Sequence, residues 1–154
     1  MNLSECCHFV NVLPPKADQF DTANATDEVD LAGYDKVLFI VQKGVGVTGT
    51  ATIKAQAADA ASPLNYTDIA FLYKQITSTD IDPGALSAAA ATGLLFTAGS
   101  NHLILIEVRA AQLPATGYQR VRLLFTEGTD SPVLAGVLAI LYGGPGNSTE
   151  SAID

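Results

Sequence analysis

VGVTGTATIKAQAA, residues 45–58, decides the fold. Val47, Gly49, Ala51, Ile53 and Ala55 alternate with Thr48, Thr50, Thr52, Lys54 and Gln56. Successive side chains of a strand point to opposite faces, so a period of two predicts a half-buried β-strand. One face is apolar and small, for a core. The other is rich in threonine, for water.

The stretches on either side extend the pattern. KVLFIVQKG, residues 36–44, is continuously apolar at its centre, which predicts a central strand buried on both faces. Gly44-Val45-Gly46 then reads as a turn between two strands. ASPLNYTD, 61–68, is a turn, and IAFLYKQI, 69–76, a strand with Phe71, Tyr73 and Gln75 on one side and Ala70, Leu72 and Lys74 on the other. STDIDPGALSAAAATG, 78–93, reads as a flexible connection, with Asp80 and Asp82 in an acidic turn. LLFTA, 94–98, and HLILIEVRA, 102–110, suggest a hairpin through Gly99-Ser100-Asn101. Leu113-Pro114 turns a corner into a strand from about Tyr118 to Thr126, and Tyr118 is expected to bond back to the corner's backbone. In PVLAGVLAILYGG, 132–144, Gly136, the β-branched residues and the terminal Gly-Gly favour a strand over a helix.

At the beginning, HFVNVL, 8–13, is a strand stopped by Pro14-Pro15. Residues 16–30 are polar and acidic and predict a long loop from one sheet edge to another, ending in a short strand at Glu28–Leu31. The sum is about eight short antiparallel strands in one all-β domain, a jelly-roll-like sandwich. It divides into an N-terminal arm (1–15), a sandwich body (16–144) and a polar tail (145–154).

Composition narrows the function. The 154 residues are 48% apolar and only 16% charged, with 16 acidic against 8 basic residues and a net charge of −8. A surface so poor in charge points to an interface, because large exposed apolar patches are usually covered by partners. The lysines and arginines do not cluster into the stripe that nucleic acid requires, and an anionic membrane surface is disfavoured for the same reason. No apolar run approaches the ~18 residues of a membrane helix. Glu5 and the lack of a basic n-region argue against a signal peptide. The chain is expected to stay in a cytoplasm unless it leaves on a larger particle.

Cys6-Cys7-His8 is the stretch that most invites a chemical reading. Adjacent cysteines close a strained ring and make a poor disulfide. In a strand Cys6 and His8 would share a face, and His102 could join them only across a sheet; a structural zinc site wants four ligands in paired spacing. There is no C-x-x-C for redox work. The cysteines are therefore expected to pack as small hydrophobes in the opening strand. Asp18, Asp21, Asp27, Glu28 and Asp30 crowd one loop, but without the order of a calcium-binding loop. No nucleophile elbow, zinc-protease or phosphate-binding motif occurs. The expectation is a non-enzymatic protein without metal or cofactor. Arg120 and Arg122 project from one strand face, either to pair with carboxylates on a wet surface or to bridge to a partner.

Three segments carry a resemblance. MNLSECCHFVNVLPP, ILIEVRAAQLPATGYQRVRLLF and VLAGVLAILYGGP resemble, in order, the leading strand, the strand–corner–strand unit and the closing strand of small β-sandwich proteins of tailed-bacteriophage virions. The resemblance implies a capsid decoration, or cement, protein. Such a protein binds the major capsid protein on the shell exterior, self-associates as a homotrimer and is made in the bacterial host cytoplasm. On this reading the partner interface includes Asn2, Leu3, Phe9, Val10, Val12 and Leu13 of the arm, with Arg120 and Arg122. The alternatives are a head–tail joining or tail- and fibre-associated virion protein, or a carbohydrate-binding sandwich. The last is disfavoured by the absence of Trp.

Overall fold

The computed structural model describes residues 3–59, 64–77 and 85–144. After one helical turn at Leu3–Cys6, the strands are β1 (His8–Lys16), β2 (Ala23–Ala25), β3 (Val29–Asp30), β4 (Lys36–Lys43), β5 (Thr50–Asp59) and β6 (Tyr66–Ile69). They continue with β7 (Phe71–Ile76), β8 (Ser87–Ala89), β9 (Leu94–Phe96), β10 (Leu103–Arg109), β11 (Tyr118–Thr129) and β12 (Ala135–Tyr142). Two antiparallel sheets stack as a β-sandwich. The first has the order β1-β12-β4-β10-β7-β8. The second runs β2-β11-β5-β6, with β3 beside β11 and β9 beside β5.

The alternation in β5 does what its pattern demands. Ala51, Ile53, Ala55 and Ala57 are fully buried, facing Val121, Leu123 and Phe125 of β11 on the same inner face. Small residues on β5 leave room for large ones around it. Phe20, Phe39, Phe71, Phe96 and Phe125 fill the space between the sheets. Phe20 stacks on Phe125 at 5.0 Å and meets Phe96 edge-on at 5.6 Å. Phe20 lies in the acidic crossing between β1 and β2, so that loop is pinned into the core. The strand begins only at Thr50; Val45 and Val47 sit in the preceding loop, 69% and 70% exposed.

Several expectations need correction. Cys6 and Cys7 do not begin a strand: Leu3–Cys6 is helical, and β1 starts at His8. Pro14-Pro15 does not stop β1, which continues to Lys16. It can do so because β1 is an edge strand, where a missing N–H costs no ladder bond, and two register shifts against β12 accommodate the prolines. The segments 94–98 and 102–110 form no hairpin. β9 pairs with β5 in the second sheet, while β10 lies between β4 and β7 in the first, so the Gly99 turn (φ +128°) changes sheets. Part of the turn at 61–68 is strand β6, and the chain switches sheets between β6 and β7 at Ala70. Within the Ala-rich connection, Ser87–Ala89 forms the edge strand β8. The Asp80/Asp82 turn and the polar tail lie outside the described residues.

β4 carries the most consequential difference. It is central in its sheet, as expected, with Val37, Phe39 and Val41 fully buried. It is not buried on both faces: Leu38 and Ile40 point outward and are half-buried, and Gln42 is exposed. The apolar run serves two faces, and this chain covers only one.

Candidate functional site

The outer face of the first sheet is an apolar surface built by cross-strand register. One row runs Phe9, Ile140, Leu38, Glu107, Leu72. The next runs Asn11, Leu138, Ile40, Leu105, Lys74. A third joins Gly136, Gln42, Leu103 and Ile76. A fourth, at the opposite end, joins Tyr142, Lys36 and Arg109. Phe9 is 41% exposed. On antiparallel sheets the solvent face is ordinarily polar, so a five-strand outer face centred on leucine and isoleucine is the feature of this fold that requires an explanation.

The face is not flat. Between β1, β12 and β4 lies a groove of about 370 Å³, lined among others by Leu13, Pro15, Ile40, Leu134 and Leu138. Gly136 makes it possible. A Cβ there would stand 2.8 Å from Pro15 Cγ, so the absent side chain lets the edge strand close over the row and leaves the hollow beside it. Asn11 and Gln42 place amide groups at its border. The exposed Val45 loop adjoins it, because Leu134 N donates to Val45 O at 2.9 Å.

A polar cluster bounds the other end. The Tyr142 hydroxyl donates to Glu107 Oε2 at 2.6 Å, Arg109 Nε donates to Glu107 Oε1 at 3.3 Å, and Lys36 Nζ lies 3.9 Å from the same oxygen. Burial alone would raise the Glu107 carboxyl, but Tyr142, Arg109 and Lys36 together hold it below its ordinary value. Burial and the Glu107 contact push the Tyr142 phenol well up.

The second sheet presents opposite chemistry. Arg122 lies with its guanidinium 3.3 Å from the centroid of the Tyr66 ring, donates to Gln56 Oε1 at 3.0 Å and sits 3.7 Å from Glu28. Tyr66 donates to Glu28 at 2.5 Å, and Lys54 and Gln56 both donate to Asp68, at 2.6 and 2.8 Å. The Lys54 and Gln56 hydrogen bonds lower the Asp68 carboxyl. These polar groups satisfy one another, beside the outward Leu124 of β11 and the exposed Leu95 of β9.

Sequence reasoning located the neighbourhood of the apolar face but not the face. Phe9 and Leu13 do belong to it. Val10 and Val12 do not: they are core residues, 5% and 1% exposed, and a partner cannot reach them. Asn2 lies outside the described residues, and Leu3 falls in the helical turn. Arg120 and Arg122 do project together, as expected, but onto the second sheet, where Arg122 is engaged by Glu28, Gln56 and Tyr66. Tyr118 does not bond the corner's backbone; its hydroxyl accepts from Thr67 Oγ1 at 3.2 Å on β6. The residues that were missed, Leu38, Ile40, Leu105, Leu138 and Ile140, announce themselves only as runs that are apolar at every position.

The metal-site candidates are dispersed. His8 Nδ1 is 3.1 Å from the Tyr34 hydroxyl. His102 precedes β10 at the end of the sheet opposite to His8, because His8 aligns through Leu141 and Val37 with Val108. Cys6 and Cys7 are half-buried and form no disulfide, and burial followed by the Cys6 hydrogen bond raises the Cys7 thiol. In the acidic loop, Glu28 is taken by Tyr66 and Arg122, and Asp30 accepts from Ala32 N and Gln119. Among the described residues, no three His, Cys, Asp or Glu side chains are grouped to hold a metal ion. No helix among them is long and apolar enough to cross a membrane. No known protein family matches the chain, and a search of curated proteins finds no match.

Proposed function

We propose that this chain is a non-enzymatic structural protein that acts by adhesion, and that the outer face of the first sheet is its adhesive surface. The observation that carries the reading is the set of outward Leu38, Ile40, Leu105, Leu138 and Ile140, contiguous across three central strands, where the outer face of the second sheet is interrupted by the Arg122, Gln56, Asp68 and Lys54 polar network. Burying apolar area is worth about 25 cal/mol per Å², so such a face is stabilised by a partner. Combined with the resemblance of the three segments to small virion β-sandwiches, the role is that of a decoration protein on the exterior of a tailed-phage capsid. Its partner is the major capsid protein, with self-association as a homotrimer around the capsomers.

The test is quantitative mass spectrometry of particles purified from the source, counting this chain against the major capsid protein. A ratio near one copy per capsid subunit supports the decoration role. About a dozen copies per particle would move the chain to a head–tail connector, and absence from particles would overturn the virion reading. Ile40→Asp, at an outward position that leaves the core untouched, should strip the chain from shells while the purified protein keeps its fold. Full occupancy by that variant would remove the first sheet as the adhesive surface.

A further inference from the structure

The outer face of the first sheet carries a projection and a hollow at equal distances from one line. On β12, Ile140 and Gly136 stand two residues to either side of Leu138, about 7 Å each way along the strand. Ile140 points outward beside Phe9, which is 41% exposed. Gly136 has no side chain and lines the groove between β1, β12 and β4. The projecting row and the receding row therefore flank the row of Asn11, Leu138, Ile40, Leu105 and Lys74 symmetrically.

A face needs that symmetry in order to meet itself, because a two-fold contact uses the same patch on both copies. With the axis in the plane of the face, along the central row, the projecting row of each copy lies over the receding row of the other. Leu138, Ile40 and Leu105 then meet their own counterparts. Packed sheets keep their strands within about 30° of each other, so the rows stay opposed across the patch. Charge does not oppose the contact. Lys36 and Arg109 are paired with Glu107 at one end of the strands, and the axis carries them to the opposite end of the other copy. Lys74, at the rim, has an interaction of its own. Five strands and four rows span about 20 by 20 Å between outer Cα positions. With side-chain margins this approaches the ~800 Å² per partner of a stable interface.

We infer that, with no other partner present, the first sheet is covered by a second copy of this chain in a face-to-face two-fold dimer, with Ile140 and Phe9 of each copy seated in the Gly136 groove of the other. The inference goes beyond the adhesive reading. The dimer is the state of the chain off the shell, and a shell that takes the same face displaces the second copy.

The test is sedimentation equilibrium of the purified chain. Expected is a dimer with a roughly micromolar or tighter dissociation constant. Phe9→Asp, which removes the projection, and Leu138→Asp, which sets two carboxylates together on the axis, should each weaken it tenfold or more, with both variants folded by circular dichroism. Geometry is read by cross-linking with a short bismaleimide in a Cys6→Ser, Cys7→Ser background. Ile40→Cys, at the centre of the axis row, should link to its own copy; Leu95→Cys, 59% exposed on the second sheet, should not. A monomer at every concentration, a trimer, a dimer indifferent to both aspartates, or linkage through Leu95→Cys alone would each overturn the inference. Counting copies on particles keeps the two readings apart. A monomer that still coats shells sinks the dimer alone, and a dimer absent from particles sinks the adhesive reading alone.

Discussion

Tyr142 on β12 reaches across β4 to donate its hydroxyl to Glu107 on β10, at 2.6 Å. The bond ties three adjacent strands at one end of an otherwise apolar face. It also sets a charge where burial opposes one.

Tyr142→Phe removes the donor and keeps the ring. A hydrogen bond to a charged group is worth about 1.5–3 kcal/mol. Glu107 is largely buried, so we expect a loss of about 1–2 kcal/mol at neutral pH, read by urea unfolding. The pH dependence has a definite sign. Glu107 is held below its ordinary 4.5, so its stabilisation is present above that value and is lost as pH falls through the lower, folded-state value. Without the Tyr142 hydroxyl the folded-state value rises toward 4.5, and the acid-dependent part of stability shrinks. An unchanged acid limb would mean the bond does not hold the charge.

Lys43 is a lysine inside the sandwich, 1% exposed. Its ammonium donates to Gly49 O at 3.2 Å and Thr97 O at 3.4 Å, and lies 4.6 Å from the Phe96 ring centroid. Burial lowers it from 10.5. The folded chain therefore sheds a proton that the unfolded chain keeps, and stability rises with pH over the interval just below 10.5. Lys43→Met keeps the stem and deletes the charge. Its stability at neutral pH should lie within about 1 kcal/mol of wild type, because an apolar side chain can replace a buried ion at little net cost. The stability of wild type relative to Lys43→Met should then rise steadily as pH approaches 10.5. A constant difference would show that Lys43 is not perturbed.

Phe20→Ala tests whether the acidic crossing is held by its one large apolar residue. Phe20 is 1% exposed between Phe125 and Phe96. Truncating a core phenylalanine costs about 3–5 kcal/mol, a large part of the 5–15 kcal/mol of a typical domain. Amide exchange should rise first in β2 and β3. A loss below 1 kcal/mol would mean the loop is anchored elsewhere.

Gly136→Ala places a Cβ 2.8 Å from Pro15 Cγ and 3.2 Å from Pro15 Cα. Strand β1 must move, at about 1–3 kcal/mol. Pro15→Ala removes the nearest of these atoms, so the double variant should recover part of the loss. A coupling energy above about 0.5 kcal/mol in thermal unfolding would establish the contact. Strict additivity would show that the two residues do not meet.

Local alternation alone marks out the strands that repeat every second residue. Ala51, Ile53 and Ala55 must face a core because Thr52, Lys54 and Gln56 cannot, and the same logic puts Val121 and Leu123 opposite Arg120 and Arg122. Alternation is a local property, so it survives without knowledge of neighbours. Which strands share a sheet is not local. Gly99-Ser100-Asn101 permits a reversal, but only the packing of Phe96 against Phe20 and the bonding of β9 to β5 send the two flanking strands into different sheets. Pro14-Pro15 could be read as a stop until β1 proved to be an edge. Leu38 and Ile40 carry the same lesson. A strand apolar at every position declares that both faces avoid water, and tertiary structure alone decides that one face meets this chain's core while the other, with Leu38 and Ile40, stays half-exposed.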